Sequence, residues 1–189
     1  GGVWVSVISR PDIMPAQAPL YTLASAVAAA TAAREAGVDA RIKWPNDVVV
    51  PVGDDGDYRK LTGILTEMEG EMDRVEWIIV GVGVNANIDA DTLPEGATSI
   101  REEAGDVDRR RFVQRFLEEF DRYRSDLEAV VPAWCDLSQT LGQRVRVDRP
   151  SGAVVGEAID VTDTGALVVE TETGRETVSA GDCEHLRPV

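Results

Sequence analysis

Residues 78–87 read IIVGVGVNAN. Successive side chains of an extended strand point to opposite faces, so Val80, Val82 and Val84 share one side while Gly81, Gly83 and Asn85 share the other. One face is aliphatic and the other is bare backbone ending in an amide. Glycine inside a strand costs stability and marks a bulge or the close approach of a ligand or another backbone. A close-packed helix would satisfy that second face, and so would a flat ligand; two glycines in alternation favour the ligand. The string is not a dinucleotide fingerprint, because the third glycine of that motif is missing and no helix opens after it.

The rest of the chain supplies partners for such a strand. GGVWVSVISRP reads as a turn running into a strand, with Val3, Val5 and Val7 alternating against Trp4, Ser6 and Ile8. A chain rarely starts in mid-sheet, so further sequence is expected upstream. LYTLASAVAAATAAREAG is an alanine-rich helix stopped at Gly37, with side chains small enough to lie close on a sheet. ARIKW and DVVV are strand-like on either side of Pro45, which interrupts the ladder at an edge, bulge or bend. KLTGILTEM returns after a polar connection to form a hairpin-like pair. Phe112, Val113, Phe116, Leu117 and Phe120 give residues 108–130 an amphipathic helical face that Pro132 ends. From about Ser138 the texture changes to the short runs QRVRVD, AVVGEAIDV, GALVVET and RETVSA, separated by glycine turns, which imply a small barrel.

The 189 residues carry 34 acidic against 19 basic side chains, a formal net charge of −15, spread from Asp12 to Glu184. Such a coat argues against a nucleic-acid-binding surface and against an acidic tail. It also fits a cytoplasmic protein adapted to molar salt, where the Debye length falls to about 3 Å and self-repulsion is screened. Cys135 and Cys183 have no metal-ligand spacing and read as reduced thiols. The apolar stretch from Leu20 to Ala33 is too short to span a bilayer.

Only Lys43 and Lys60 are lysines; all other cationic residues are arginine. An ammonium is a compact charge on a flexible stem and a guanidinium a broad planar fork. Lysine is therefore retained where a crowded anion site forbids arginine. Opposite charges about 4 Å apart interact by about 4 kcal/mol at an effective dielectric near 20, enough to hold an anion despite the acidic coat.

KWPND at 43–47, RKLTGIL at 59–65 and GVGVNAN at 81–87, together with GGVWVSVI, GATSIREEAG and the glycine-punctuated C-terminal part, resemble the biotin protein ligase family, biotin–[acetyl-CoA-carboxylase] ligases included. The resemblance covers essentially the whole chain. It implies an α+β fold with a class II aminoacyl-tRNA synthetase-like mixed sheet backed by helices over residues 1–137, followed by a small SH3-like β-barrel over 138–189. It implies Lys60 and Asp47 as catalytic residues, with Lys60 on the biotin carboxylate and the α-phosphate. It implies Gly63, Gly81 and Gly83 under biotin, and Lys43, Asn46 and Asn85 at the nucleotide. The substrates are then biotin and ATP with Mg2+ bridging phosphates and no metal held by the protein; the partner is a biotin carboxyl carrier protein. A homodimer through the sheet edge is compatible with the same fold, and a lipoate- or octanoate-transferring relative and a non-catalytic binding protein remain as alternative readings.

One departure stands out. The glycine- and arginine-rich loop that the family carries just before the first strand is absent from this sequence, so the polypeptide alone is expected to activate biotin poorly or not at all; a DNA-binding helix-turn-helix is also absent from it. His185 reads as a surface residue, Cys135 lacks a base to make it a nucleophile, Arg109–Arg111 read as a solvated face, and DDGD at 54–57 reads as an acidic turn rather than a metal loop. With the upstream loop present, Lys60→Arg is expected to abolish ATP–pyrophosphate exchange while Arg146→Lys keeps it; equal rates for Lys60→Arg and wild type would remove the account of the retained lysine.

Overall fold

A computed structural model describes residues 1–53 and 57–186, so the acidic turn at 54–57 falls almost wholly outside the described residues. Five strands, β1 Val3–Ser9, β2 Arg41–Lys43, β3 Asp47–Val52, β4 Asp57–Gly70 and β5 Val75–Val84, form one sheet in the order β1-β5-β4-β3-β2. Helix α1, Pro19–Glu35, packs on this sheet, and α3, Arg109–Ser125, and α4, Val130–Asp136, pack on α1; the short α2 spans Ile100–Ala104. A helix that is apolar all round has to be buried all round. Accordingly α1 has Leu20, Leu23, Val27 and its run of alanines inaccessible, sandwiched between sheet and helices. It ends as expected, with Gly37 in the left-handed region at φ 95°.

Helix α3 is amphipathic, and Phe112, Phe116, Phe120 and Tyr123 are its buried aromatics. Phe120 stacks on Phe116 and meets Tyr21 of α1 edge-on, both with centroids 6.0 Å apart. Leu117, expected on this face, is instead exposed. The helix also stops at Ser125, earlier than expected. Pro132 does not end it; it lies in the first turn of α4, where a missing N–H breaks no intrahelical bond.

The other five strands, β6 Arg144–Asp148, β7 Val154–Val161, β8 Leu167–Thr171, β9 Gly174–Val178 and β10 Asp182–His185, form a second sheet in the order β10-β6-β7-β8-β9. Two expectations are corrected here. Every named strand pair of the first sheet is antiparallel, so the sheet is not mixed; only the isolated bridges Ile42 to Ser138 and Lys60 to Ala97 run parallel. The second sheet is open rather than a barrel, because among the described residues no ladder joins its edge strands β9 and β10. The α+β class itself stands.

The two sheets meet at Trp44, which is fully buried. Its backbone N–H donates to Thr140 Oγ1 at 3.0 Å and its indole Nε1–H to the Gly165 carbonyl at 3.1 Å. Ile42 adds a bridge, donating to Leu137 O and accepting from Gln139 N, each at 2.8 Å. Within the second sheet, a Cβ on Gly156 would stand 2.1 Å from the Glu170 carbonyl oxygen. Gly156→Ala is therefore expected to lower unfolding free energy by about 1–3 kcal/mol, read as a drop in the urea midpoint.

Candidate functional site

Residues directly opposite in neighbouring strands share a face. The pairings Trp4 with Gly83, Gly83 with Gly63, Gly63 with Asp47 and Asp47 with Lys43 therefore make one lateral row across all five strands. The next row joins Ser6, Gly81 and Leu65. Gly63, Gly81 and Gly83 thus form one side-chain-free patch on the face turned away from α1, while Val80, Val82 and Val84 are buried on the other. Among the described residues no helix covers this open face of β5. A cleft of about 460 Å3 lies over the patch, walled by Trp4 on one side and Lys60 on the other. The Trp4 indole is 76% exposed, and its Cδ1 is 3.5 Å from where a Gly83 Cβ would be.

Strict alternation would point Lys60 away from Gly63, three residues on. A β-bulge reverses that. Thr62 pairs with Val48 and Lys60 with Val49, so Leu61 is the extra residue, and the insertion re-aims Lys60 at the glycine patch. The backbone of Lys60 is held by a separate segment: its N–H donates to Gly96 O at 2.8 Å and its carbonyl accepts from Thr98 N at 2.9 Å. Its Nζ lies 2.6 Å from Asp47 Oδ1, with the lysine half exposed and the carboxylate mostly covered. The contact is an ion pair, and the half-exposed ammonium remains open to solvent on its other side.

Two amides border the cleft with their orientation fixed. Asn46 donates from Nδ2 to Ile64 O at 2.7 Å and accepts from Ile64 N at 3.0 Å, extending the ladder by one residue beyond β3. Asn85 donates one Nδ2–H to Thr98 O at 3.0 Å, which fixes the amide and leaves it a second N–H donor and the Oδ1 acceptor. Asn85 sits one strand step beyond Gly83, outside the cleft lining.

Lys43 is placed differently from the expectation that it lines the cleft. It belongs to the same lateral row, but it is only 7% exposed and its Nζ sits 5.6 Å above the Tyr58 ring centroid. Burial, with negative neighbours Cys183 and Asp47 behind it, pushes the Tyr58 phenol up to about 12. Burial likewise raises the Cys183 thiol to about 11, against the opposing pull of Lys43. Cys135 is also raised by burial, which leaves neither thiol reactive. His185 is half-buried: Nε2 is 3.2 Å from Thr140 Oγ1 and the ring meets Tyr58 edge-on at 5.1 Å. Arg109 of the basic run donates to Gly2 O. Among the described residues no group of three or more His, Cys, Asp or Glu side chains is arranged to hold a metal.

The sequence reading missed the bulge at Leu61, the wall formed by Trp4 and the clamp by residues 96–98. The odd spacing between Lys60 and Gly63 was a signal for the first; the other two depend on pairings that no local pattern specifies.

Two family models match: "Biotin/lipoate A/B protein ligase family" over residues 1–85 and "Biotin protein ligase C terminal domain" over residues 140–186. The bifunctional ligase/repressor BirA of Bacillus subtilis is 35% identical over 97% of this chain and 58% of its own length. The chain belongs to the biotin protein ligase family. The biotin–[acetyl-CoA-carboxylase] ligase of Mycobacterium tuberculosis is 32% identical over 97% of the chain and 63% of its length. The chain therefore spans about three-fifths of these two relatives. The biotin protein ligase of Aquifex aeolicus, solved in complex with biotin and ATP, has the same fold, with a TM-score of 0.77 at 22% identity over 100% of this chain and 79% of that one.

The space a side chain at position 63 would fill is occupied by Lys60, whose Cε and Nζ lie 3.2 and 3.3 Å from a Cβ built there. Gly63→Val is expected to leave the unfolding midpoint unchanged or raised, since β-branched residues favour strands, while expelling Nζ beyond the ion-pair limit of about 4 Å from Asp47; a crystal structure of the variant checks both claims.

Proposed function

We propose that the chain is the catalytic part of a biotin protein ligase, joining biotin to AMP and passing it to a lysine of a biotin carboxyl carrier protein. The observation that carries this reading is the Lys60 ammonium at the edge of the glycine patch, paired with Asp47. A carboxylate oxygen of biotin attacks the α-phosphorus of MgATP, the bond to the bridging oxygen breaks, and pyrophosphate leaves. The amine of the carrier lysine then attacks the acyl carbon of biotinyl-5′-AMP, an amide forms, and AMP departs with the proton released to solvent.

Lys60 stabilises negative charge on the carboxylate and the phosphate, an electrostatic and not a nucleophilic role. Asp47 holds the ammonium until the anions arrive. Gly63, Gly81 and Gly83 let the bicycle and its chain lie against backbone. Asn46 and Asn85 face the nucleotide; with its amide fixed by Thr98, Asn85 offers a second N–H and Oδ1 to the adenine edge. Lys43 acts on the nucleotide through its field from behind Asp47. Mg2+ would enter with the nucleotide as MgATP.

The coarser surroundings fit the same reading. Residues 1–137 form the catalytic domain and 138–189 an SH3-like domain that has opened along one edge. The acidic coat suits a cytoplasm of molar salt and disfavours nucleic acid, no described helix is long and apolar enough to cross a membrane, and the edge of the first sheet offers a route to a homodimer. Lipoate or octanoate is the second reading, kept because the matching N-terminal family model spans both ligase types.

Biotin-dependent ATP–pyrophosphate exchange, measured in molar salt on the chain with its natural upstream sequence, is the test. Exchange with biotin and none with lipoate is the expected result. Exchange with lipoate alone transfers the assignment to the second reading, and none with either leaves a binding protein.

A further inference from the structure

The segment that brings Asn46 and Asp47 to the cleft is a three-residue turn between β2 and β3, and its first residue is tied to the other sheet. Trp44 spends its backbone N–H on Thr140 Oγ1 and its indole N–H on Gly165 O. Thr140 is itself completely inaccessible to solvent. Its hydroxyl is also 3.2 Å from His185 Nε2 of β10, and its backbone N–H donates to Ser138 Oγ at 3.1 Å. Two residues beyond Trp44, Asn46 brackets Ile64 of β4, and Asp47 next to it pairs with Lys60. Polar contacts therefore run from β10 through Thr140 to Trp44, and the backbone of the turn continues from Trp44 to Asn46 and Asp47, whose carboxylate meets the ammonium at the cleft.

We propose that Thr140 is a positioning residue for the reaction: its hydroxyl fixes the Trp44–Asn46 turn, and through it the placement of Asp47 against Lys60. The second sheet then contributes to catalysis without touching substrate. This rests on the assignment of Lys60 and Asp47 to the adenylation step. A valine at position 140 keeps the shape and removes the acceptor, leaving the Trp44 N–H buried and unpaired; a serine keeps the acceptor.

The test uses Thr140→Val and Thr140→Ser in the chain with its natural upstream sequence. Thr140→Val is expected to lower kcat of biotin-dependent pyrophosphate exchange about tenfold, with KM for ATP and biotin within about twofold, and Thr140→Ser to restore it. Combined with Asp47→Asn, Thr140→Val should add almost nothing, because both act on the same contact. Full additivity would overturn the proposal, as would a wild-type kcat for Thr140→Val. Hydrogen exchange gives an independent readout: the amides of residues 46–48 and 60–64 should lose protection about tenfold in Thr140→Val. Unchanged protection there sinks the proposal whatever the activity. Lost protection in a chain whose wild type exchanges no pyrophosphate keeps the coupling and removes the assigned reaction.

Discussion

The site depends on strand register. A sheet residue has two faces to choose from, and a slip of one position sends every side chain of a strand to the other side. In β5 such a slip would drive Val80, Val82 and Val84 into the cleft and put Gly81 and Gly83 against α1. Burial of the valines under the alanine-rich helix opposes that slip, since each buried aliphatic side chain is worth roughly 1.5–3 kcal/mol. The hydrophobic core and the bare floor are therefore two readouts of one alignment: whatever stabilises the fold also keeps the floor clear. Asn46 extends the same logic to β3, since its bracket on Ile64 fixes where Asp47 meets Gly63.

Against a formal charge of −15, the cleft needs a local source of positive potential, and the ion pair of Lys60 with Asp47 supplies it in restrained form. A half-exposed pair of this kind contributes about 0.2–1 kcal/mol to stability at most. Asp47 is thus poorly explained as a stabiliser of the fold and well explained as a temporary counter-ion. In the proposed reaction an arriving carboxylate and phosphate would compete with a single carboxylate for an ammonium that is already half in solvent. High salt screens the distant acidic coat far more than charges in contact, which keeps this competition local.

Much of this was legible in the sequence because it follows from periodicity. The faces of β1 and β5, the all-buried helix α1 and the aromatic stripe of α3 are period-two and helical patterns, and the three glycines of the floor come together as those patterns require. What escaped was non-local or irregular. The bulge at Leu61 inserts a single residue with no turn signal. The break at Asp126 precedes the proline that seemed to mark it, because a proline is as acceptable in a first helical turn as after a last one. The expectation of a mixed sheet came from resemblance to the family, and that of a barrel from the glycine-punctuated runs after Ser138, which are equally compatible with the open antiparallel sheet observed. The clamp of residues 96–98 on Lys60 joins segments that no spacing rule connects.

The two lysines keep their identity for different reasons. At Lys60 the constraint is the neighbouring floor: with Nζ already within 3.3 Å of where a Gly63 Cβ would stand, a planar guanidinium would lie over the patch that a ligand has to use. At Lys43 the aromatic contact alone explains nothing, since an arginine stacks on a tyrosine ring at least as well. Burial is the better account. The side chain is nearly sealed beside Tyr58 and near Cys183, and a guanidinium would bring five donors to be satisfied in that buried place where an ammonium brings three. The residue that touches the cleft is thus selected by shape, and the one behind it by the number of hydrogen bonds that its surroundings can satisfy.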